Sequence, residues 1–309
     1  MSQVFVSVVI PVLNDAQRLA VCLGALRAQT YPKDLFEVIV VDNGSTDDIK
    51  SVIDEFKDFT FVLETGRGPA AARNKGVTLA RGEIIAFTDA DCVPAPDWIE
   101  KAVKSMSNVP KCDVIAGKVE LFFKDANNPK IVELYESIWA FQQERCVEKS
   151  RFGVTANLIT YKQVFKDVGL FDSNTFKTAA GEDREWGNRV FSSGRRIVYA
   201  DDVRVAHPAV SSWKELFNKE IRIARGNFLF AGEKTLPTRE YFSITVKRAS
   251  EVLESIVRFW SDKRVKGKRQ KIAVIFVQIC MRFVGFFERT RLRLSGKDNE
   301  ENKRHNPDI

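Results

Sequence analysis

Apolar residues follow two different spacings along the first half of the chain. Nearly continuous β-branched runs occupy Val4–Ile10 and Val38–Val41. Between these runs, Leu19, Leu23 and Leu26 recur at helical spacing and share one helix face. Unbroken apolar runs joined by an amphipathic helix are typical of parallel strands that are covered on both sides. The pattern therefore predicts a strand, a helix and a second strand.

The same alternation continues toward the middle of the chain. Phe59–Leu63 and Ile84–Phe87 are predicted strands, and a helix is predicted from Pro69 through Leu79, with proline in its first turn. Four strands alternating with helices indicate a parallel, nucleotide-binding-type arrangement. The predicted fold class is therefore α/β, with a mostly parallel central sheet flanked by helices.

The second half mixes strands and helices. Predicted strands are Val114–Leu121, Val154–Thr160 and Arg196–Val205; predicted helices are Ile131–Arg145, a segment ending at Val168, a segment opening at Gly181, and Ser211–Phe230. The stretch from Gly232 to Pro237 is the predicted linker. We thus expect a catalytic domain at 1–235 and a basic, amphipathic helical extension at 236–309.

Two apolar helices are predicted in the extension. The second, Ile272–Phe287, is apolar except for a narrow polar stripe formed by Lys271, Gln278, Arg282 and Arg289. Its length of about 24 Å is short for a bilayer crossing. We expect it to lie in a membrane interface with the stripe facing water or phosphates. The alternative is that both helices pack on the catalytic domain.

The charge is unevenly distributed. The chain carries a net charge of +7, and residues 247–304 hold sixteen Lys or Arg against seven Asp or Glu. Such a tail predicts an anionic partner, and the helical pattern favours an anionic membrane surface over nucleic acid. Five scattered cysteines without a Cys-x-x-Cys pair suit a cytoplasmic location, and Met1–Leu13 has the pattern of a strand. The expected location is peripheral, on the inner face of the cell membrane.

Two carboxylates follow the strand Ile84–Phe87. Asp89 and Asp91 are separated by one small residue, and the carboxyl ends of parallel strands are where open α/β sheets bind ligands. Two acids at this spacing repel each other, and a divalent cation such as Mg²⁺ or Mn²⁺ relieves the repulsion. Such a cation would hold a phosphate-bearing substrate. The alternative is a turn with two solvated aspartates.

Five further segments carry candidate chemistry. Asp42 ends a strand and is suited to accept hydrogen bonds from a base or ribose, while Arg73 lies one turn into a glycine-rich helix entry. Asp183, after Glu182, is a candidate general base at a helix start. His207 is a candidate third metal ligand, and two arginines one turn apart, Arg222 and Arg225, suit a diphosphate. For each segment alone, a purely structural role is the alternative.

In this order and spacing the segments resemble family 2 glycosyltransferases with the GT-A fold. The resemblance rests on Val8-Val9-Ile10-Pro11-Val12-Leu13-Asn14, Val41-Asp42-Asn43-Gly44-Ser45-Thr46-Asp47, Ala72-Arg73-Asn74-Lys75-Gly76, Asp89-Ala90-Asp91 and Glu182-Asp183. It covers about Val4 to Gly226. It implies inverting transfer of a sugar from a nucleoside diphosphate donor to an acceptor hydroxyl, in cell-surface or extracellular polysaccharide or glycolipid assembly.

The resemblance also implies residue roles. The implied donor contacts are Pro11, Asn14, Asp42 and Arg73 at the base, Asp89 at the ribose or metal, Asn157 at the donor sugar, and Arg222 and Arg225 at the diphosphate; Glu182 is a further implied donor contact. Asp91 would bind the divalent cation with Asp89 and His207, and Asp183 would deprotonate the acceptor, a glycan or a lipid-linked glycan.

One departure from the family pattern bears on the product. Processive members carry Gln-x-x-Arg-Trp, whereas the corresponding region here is Arg222-Ile223-Ala224-Arg225-Gly226. This difference favours addition of a single sugar. Two alternatives to a glycosyltransferase remain at this point: another metal-dependent nucleotide-sugar enzyme, such as a nucleotidyltransferase, and a non-catalytic membrane-associated partner.

Overall fold

The computed structural model describes residues 4–110, 112–177 and 180–305, including their side chains except at 247–255 and 296–305. In this part of the chain the contacts define two compact units. The first contains residues 4–122, 141–177 and 182–208, and the second contains 123–140, 180–181 and 209–305. The predicted division into a catalytic domain at 1–235 and a helical extension at 236–309 stays a prediction.

The first unit is built on one sheet. Among the described residues it has eight strands, in the order β3-β2-β1-β4-β7-β6-β8-β5. Their bounds are β1 (Val6–Val12), β2 (Phe36–Asp42), β3 (Thr60–Leu63), β4 (Ile84–Thr88), β5 (Val93–Pro94), β6 (Val114–Phe122), β7 (Asn157–Tyr161) and β8 (Ile197–Pro208).

Strand direction changes across the sheet. Strand β1 is parallel to β2 and β4, β2 is parallel to β3, and β6 is parallel to β8. Strand β7 is antiparallel to β4 and β6, and β5 is antiparallel to β8. The predicted α/β class with four parallel strands at one side is confirmed, and β7 joins this parallel part to the mixed part.

Helices connect the strands and form the second unit. Their bounds are α1 (Ala16–Arg27), α2 (Ile49–Glu55), α3 (Pro69–Leu79), α4 (Trp98–Asn108), α5 (Ile131–Trp139), α6 (Gln143–Arg145), α7 (Lys162–Val168), α8 (Glu182–Ser192), α9 (Trp213–Phe230), α10 (Thr238–Ser261) and α11 (Gly267–His305). A 3₁₀ turn at Lys33–Leu35 and a π turn at Cys146–Ser150 complete them. Helix α3 has the predicted bounds.

The sheet of the first unit is buried on both faces because successive strand residues point to opposite sides. Val8 and Ile10 pack in one apolar cluster that includes residues of α1 and α4. Val9 and Ile39 pack in another that includes the alanines of α3. This double coverage explains why β1 and β2 are nearly continuous apolar runs.

The predicted helix Ile131–Arg145 is interrupted at residues 140–142, between α5 and α6. Helix α5 ends at Trp139, and Phe141 adopts a left-handed backbone conformation with φ of 49°. The ring of Phe141 packs on His207, with centroids 4.4 Å apart. Periodicity could not reveal this break because the apolar spacing continues through it.

The second unit has an apolar core of its own. Helix α5 contributes Val132 and Tyr135, α9 contributes Leu216, and α11 contributes Val274, Val277 and Met281. The ring of Phe259 on α10 stacks on Tyr135 with centroids 5.9 Å apart. Ser212 caps α9 by accepting a hydrogen bond from the Glu215 amide. The C-terminal helices are therefore packed elements.

Helix α11 corrects two expectations. The predicted stripe of polar residues does not face solvent, because Gln278 and Arg289 are buried while Phe276, Phe283 and Phe287 are exposed. The helix also continues well beyond Phe287, and over Gly267–Ser295 it is long and apolar enough to cross a membrane by length and composition. Length therefore does not exclude a crossing, and the surface left to be covered is apolar.

Candidate active site

The acidic pair lies where β4 ends. All five residues of β4 are buried, and the chain turns directly after Thr88, with the Cys92 amide donating to the Asp89 carbonyl. Asp89 and Asp91 are consequently placed at the carboxyl edge of the parallel part of the sheet, and both side chains keep some exposure, 28% and 21%. This edge is the expected ligand-binding edge of such a sheet.

His207 reaches the same place from the other side of the sheet. It lies near the end of β8, directly after Ala206. Ala206 pairs with Val93 of β5, and Val93 follows Asp91 by two residues. The Nε2 atom of His207 lies 3.4 Å from Oδ1 of Asp91. Its Nδ1 atom lies 2.7 Å from the carbonyl oxygen of Pro208, a contact that requires the proton on Nδ1. A cation placed between the two side chains would be bound by the Nε2 lone pair and by the Asp91 carboxylate.

The donor set fits a divalent cation. Asp91, Cys92 and His207 each offer a ligand atom, and these atoms lie within 4.8 Å of one another. Burial raises the pKa of the Cys92 thiol well above its usual range, so the thiol stays protonated and leaves the carboxylate and imidazole as ligands. Burial also raises the pKa of Asp91, with Asp89 adding to the effect and His207 opposing it. A cation between Asp91 and His207 would relieve this cost.

Arg73 joins two carboxylates of the site. Its Nη2 atom donates to Asp89 Oδ1 at 2.7 Å, and its Nη1 atom donates to Glu182 Oε1 at 2.8 Å. The guanidinium is 5% exposed. Burial by itself would lower the pKa of Arg73, but the charges of Asp89 and Glu182 outweigh burial and raise it. The arginine expected at the nucleobase thus links the strand-end acid to the helix-start acid.

Asp183 begins α8 directly after Glu182. Its side chain is half-buried, and Oδ1 accepts a hydrogen bond from the Arg184 amide at 2.7 Å. Burial, followed by the charge of Glu182, raises the pKa of Asp183 to about 7. A carboxylate with this pKa can take up a proton near neutral pH, which is the chemical property that a general base needs.

The ends of β1 and β2 form a hydrogen-bonded pair of turns at the same edge. Asn14 adopts a left-handed backbone conformation with φ of 53°. Its Oδ1 atom accepts hydrogen bonds from the backbone amide and hydroxyl of Thr46, and its backbone amide donates to Ser45 Oγ. Asp42 Oδ1 accepts a hydrogen bond from the Ser45 amide. Pro11 pairs in register with Val41 of β2. The predicted base-contacting residues Pro11, Asn14 and Asp42 are therefore neighbours.

Asn157 has a different environment from the one expected. It is fully buried at the start of β7, where Nδ2 donates to the carbonyls of Lys118 and Val203 and Oδ1 accepts from Trp98 Nε1. Both amide hydrogens and the oxygen are engaged inside the sheet. We therefore leave Asn157 out of the donor contacts proposed below.

Arg222 and Arg225 lie on α9 and belong to the second unit. Arg225 Nε donates to Glu288 Oε1 at 2.6 Å, and Arg222 is exposed. Their role at the diphosphate stays a prediction.

One charged residue at the site was missed. Arg18 Nη1 lies 3.8 Å from Asp91 Oδ2, and Arg18 Nε donates to Asp15 at 2.7 Å. The sequence feature that could have indicated it is its position in the first turn of α1, close after the Asn14-Asp15 turn. That signal is weak because helix-start arginines are common surface residues.

Fold and site together define a glycosyltransferase with the GT-A fold. Residues 7–169 match the family model described as glycosyl transferase family 2, and the chain belongs to this family. It is 37% identical to glycosyltransferase AglE of Haloferax volcanii over 227 residues, 72% of each chain. It is 28% identical to a glucosyl-dolichyl phosphate glucuronosyltransferase of the same organism, over 58% of this chain and 61% of that relative, which is less than two thirds of its length.

Solved structures agree on the fold. The mannosyltransferase PcManGT from Pyrobaculum calidifontis, in complex with GDP-Man and Mn²⁺, superposes with a TM-score of 0.60 over 94% of this chain and 86% of its own, at 20% identity. Residues 1–349 of S. aureus TarS, in complex with UDP, give a TM-score of 0.52 over 72% of this chain and 65% of that chain, also at 20% identity. At these identities the likeness concerns the fold.

Proposed function

We propose that this glycosyltransferase adds a single sugar, with inversion at the anomeric carbon, from a nucleoside diphosphate-sugar to a hydroxyl of a lipid-linked or membrane-proximal glycan. The product would enter cell-surface or extracellular polysaccharide or glycolipid assembly. The observation that carries the proposal is the 3.4 Å approach of His207 Nε2 to Asp91 Oδ1 at the carboxyl edge of the sheet. This pairing is suited to share a cation with a diphosphate.

Asp91 and His207, with Asp89 beside them, would hold Mg²⁺ or Mn²⁺. When bound, the cation supplies positive charge for the leaving nucleoside diphosphate. Mn²⁺ accompanies the nucleotide sugar in PcManGT. Arg73 keeps the Asp89 carboxylate fixed through its 2.7 Å hydrogen bond, so one acid of the pair is oriented before donor arrives.

The remaining steps use other residues of the first unit. Pro11, Asn14 and Asp42 would receive the nucleobase and ribose, and Glu182 would fix Arg73 through its 2.8 Å hydrogen bond. Asp183 would remove the proton of the acceptor hydroxyl as that oxygen attacks the anomeric carbon opposite the diphosphate. Its pKa of about 7 is the support for this assignment.

Membrane attachment is proposed for the 236–309 segment of the second unit. Its exposed apolar residues, Phe242, Val246, Ile272, Phe276, Phe283 and Phe287, accompany an excess of Lys and Arg. An apolar surface with basic surroundings is suited to an anionic bilayer interface. We propose a peripheral position on the inner face of the cell membrane, near a lipid-linked acceptor.

Nucleoside diphosphate release would test the function. Purified full-length protein is incubated with a panel of UDP-, GDP- and TDP-sugars, with Mn²⁺ or with EDTA. One donor is expected to yield its nucleoside diphosphate in Mn²⁺, and NMR of the product is expected to show inverted anomeric configuration. Release of pyrophosphate in a parallel assay with a nucleoside triphosphate and a sugar 1-phosphate would instead favour a nucleotidyltransferase, and retention of configuration would overturn the inverting mechanism.

A further inference from the structure

Helices α9, α10 and α11 line a cavity of about 470 Å³ inside the second unit. Its polar lining comes from Glu220, Asn227, Thr245, Arg282 and Arg289, and its apolar lining includes Phe283 and Phe286. The volume is within the range of small-molecule sites, about 300–1,000 Å³, and such sites combine apolar walls with a few polar groups. None of the roles assigned above uses this cavity.

Arg289 is the notable polar group. The residue is 7% exposed, and its Nε atom donates to the Gly285 carbonyl at 3.2 Å. Its Nη1 atom is buried and has no hydrogen-bond partner among the described residues; the nearby carboxylate oxygen of Glu233 is 3.6 Å away. Glu233 thus supplies an ion pair but no hydrogen bond to Arg289, and an anionic ligand in the cavity would add acceptor oxygens for the guanidinium.

Arg282 provides a second guanidinium in the lining of the same cavity. It lies over the ring of Trp139, 4.9 Å from the ring centroid. Arg282 interacts electrostatically with Glu220, which also lines the cavity. Burial raises the pKa of Glu220 to about 7, and the charge of Arg282 opposes this increase. With a pKa of about 7, Glu220 is only partly ionised at pH 7 and compensates Arg282 incompletely, while Glu233 pairs with Arg289. The polar part of the cavity therefore favours an anion with several acceptor oxygens.

The apolar part of the cavity leads to the outer face of α11. Ile279 and Phe283 line the cavity and are also exposed. Phe276 and Phe287 continue the same exposed apolar stripe in both directions along the helix. A ligand with an anionic head in the cavity could therefore lay a hydrocarbon chain along this stripe, which would remove part of both apolar surfaces from water.

We propose that this cavity binds the phosphate head and the first carbons of a long-chain lipid phosphate. Arg282 and Arg289 bind the phosphate oxygens, and Phe283 and Phe286 contact the chain. The proposal deepens the proposed function, on which its biological role rests, by naming where the phosphate end of a lipid-linked acceptor is held. Binding is separable from sugar transfer, so it is tested without donor or turnover.

Dodecyl phosphate is the probe, and its binding to full-length protein is measured by isothermal titration below the micelle concentration. Inorganic phosphate and dodecanoate are the comparison ligands. Arg289→Gln and Arg282→Gln are each expected to weaken dodecyl phosphate binding about tenfold or more, the effect of losing a charge-assisted hydrogen bond. Arg269→Gln, the same change at an exposed position of α11, is the matched control and is expected to bind as the wild type does.

Phe283→Gln separates ligand binding from folding because Phe283 is an exposed residue. It is expected to weaken dodecyl phosphate while leaving inorganic phosphate binding unchanged. An equal loss in Arg269→Gln would overturn the proposal in favour of general surface attraction. Equal affinity for inorganic phosphate and dodecyl phosphate would exclude the chain contact, and tighter binding of dodecanoate would exclude phosphate as the preferred head. Donor turnover that persists in these cases would leave the proposed function standing.

Discussion

Arg73 and Asp89 form a hydrogen bond of 2.7 Å at the carboxyl end of β4, through a guanidinium that is nearly inaccessible to solvent. The same guanidinium binds Glu182 at the start of α8. One buried cation therefore connects α3, the acidic turn after β4 and the helix that carries Asp183. The connection fixes the acids of the site relative to one another within the first unit.

Replacing Arg73 with Met should destabilise the protein strongly. The substitution keeps most of the side-chain volume but leaves Glu182 and Asp89 without their shared partner, at a cost of about 3–5 kcal/mol for a broken buried pair. Urea unfolding measures the difference. Arg81→Met is the control, because Arg81 pairs with Glu37 at an exposed position and should cost at most about 1 kcal/mol. Equal losses in the two variants would refute the bridging role.

Asp91→Asn should abolish the response to cation and donor without harming the fold. Burial raises the pKa of Asp91, so its ionised form is disfavoured in the folded protein at pH 7, and the neutral amide removes that penalty. Thermal unfolding without cation should therefore occur at the wild-type temperature or above it. Adding Mn²⁺ and the donor should stabilise the wild type and leave Asp91→Asn unchanged. Asp97→Asn, an exposed acid paired with Lys101, should respond as the wild type does.

Activity should depend on pH through Asp183. Its pKa is raised from 3.8 to about 7, so the base is protonated below that pH, and kcat should fall about tenfold per unit as the pH drops further. Asp183→Asn should lose about 10²- to 10⁴-fold in kcat while still binding donor. Glu185→Gln, a change at a half-buried acid of the same helix that pairs with Arg189, should keep the wild-type profile. An unchanged profile in Asp183→Asn would assign the base elsewhere.

Deprotonation of Asp183, which the proposed activity requires, should lower the stability of the folded protein. Because its folded pKa is above its unfolded value, the folded state holds a proton that the unfolded state has released between about pH 4 and pH 7. The contribution of Asp183 to the free energy of unfolding is therefore favourable at low pH and is lost as the pH rises through this window. Asp183→Asn should flatten this part of a plot of unfolding free energy against pH, measured by urea titration.

Membrane binding should depend on the exposed apolar residues of α11. Deleting residues 265–309 would not be a clean test, since Val274, Val277 and Met281 belong to the core of the second unit. A triple Gln variant at Ile272, Phe276 and Phe287 changes exposed positions only. Flotation with vesicles containing phosphatidylglycerol should fall several-fold.

A matched control for this variant lies in the first unit. Val21, Leu63 and Leu79 are exposed apolar residues there, and their triple Gln variant should float as the wild type does. Equal flotation of both triple variants would contradict attachment through α11.

Two helical glycines should respond oppositely to alanine. An added Cβ at Gly76 of α3 would lie 2.3 Å from Val9 Cγ1, whereas one at Gly24 of α1 has open space within 4 Å. Gly24→Ala should stabilise the protein by about 0.5–1 kcal/mol because glycine is the poorer helix former. Gly76→Ala should destabilise it by about 1–3 kcal/mol through overpacking. Thermal and urea unfolding of both variants measure the contrast.

The sequence by itself determined the parallel part of the fold and the position of the acids. Short β-branched apolar runs are typical of buried strands, and chain order then places Asp42 at one strand end and Asp89 and Asp91 just after another, because these features are local in the chain. The bounds of α3 followed from Pro69 and the helical spacing for the same reason.

The tertiary structure alone decided which groups meet. The contact between His207 and Asp91 depends on the pairing of β5 with β8, and the bridge from Arg73 to Glu182 joins residues 109 positions apart. No local periodicity encodes such pairings. The inward orientation of Gln278 and Arg289 likewise follows from packing inside the second unit, because an amphipathic pattern shows that two faces differ and does not show which face meets water.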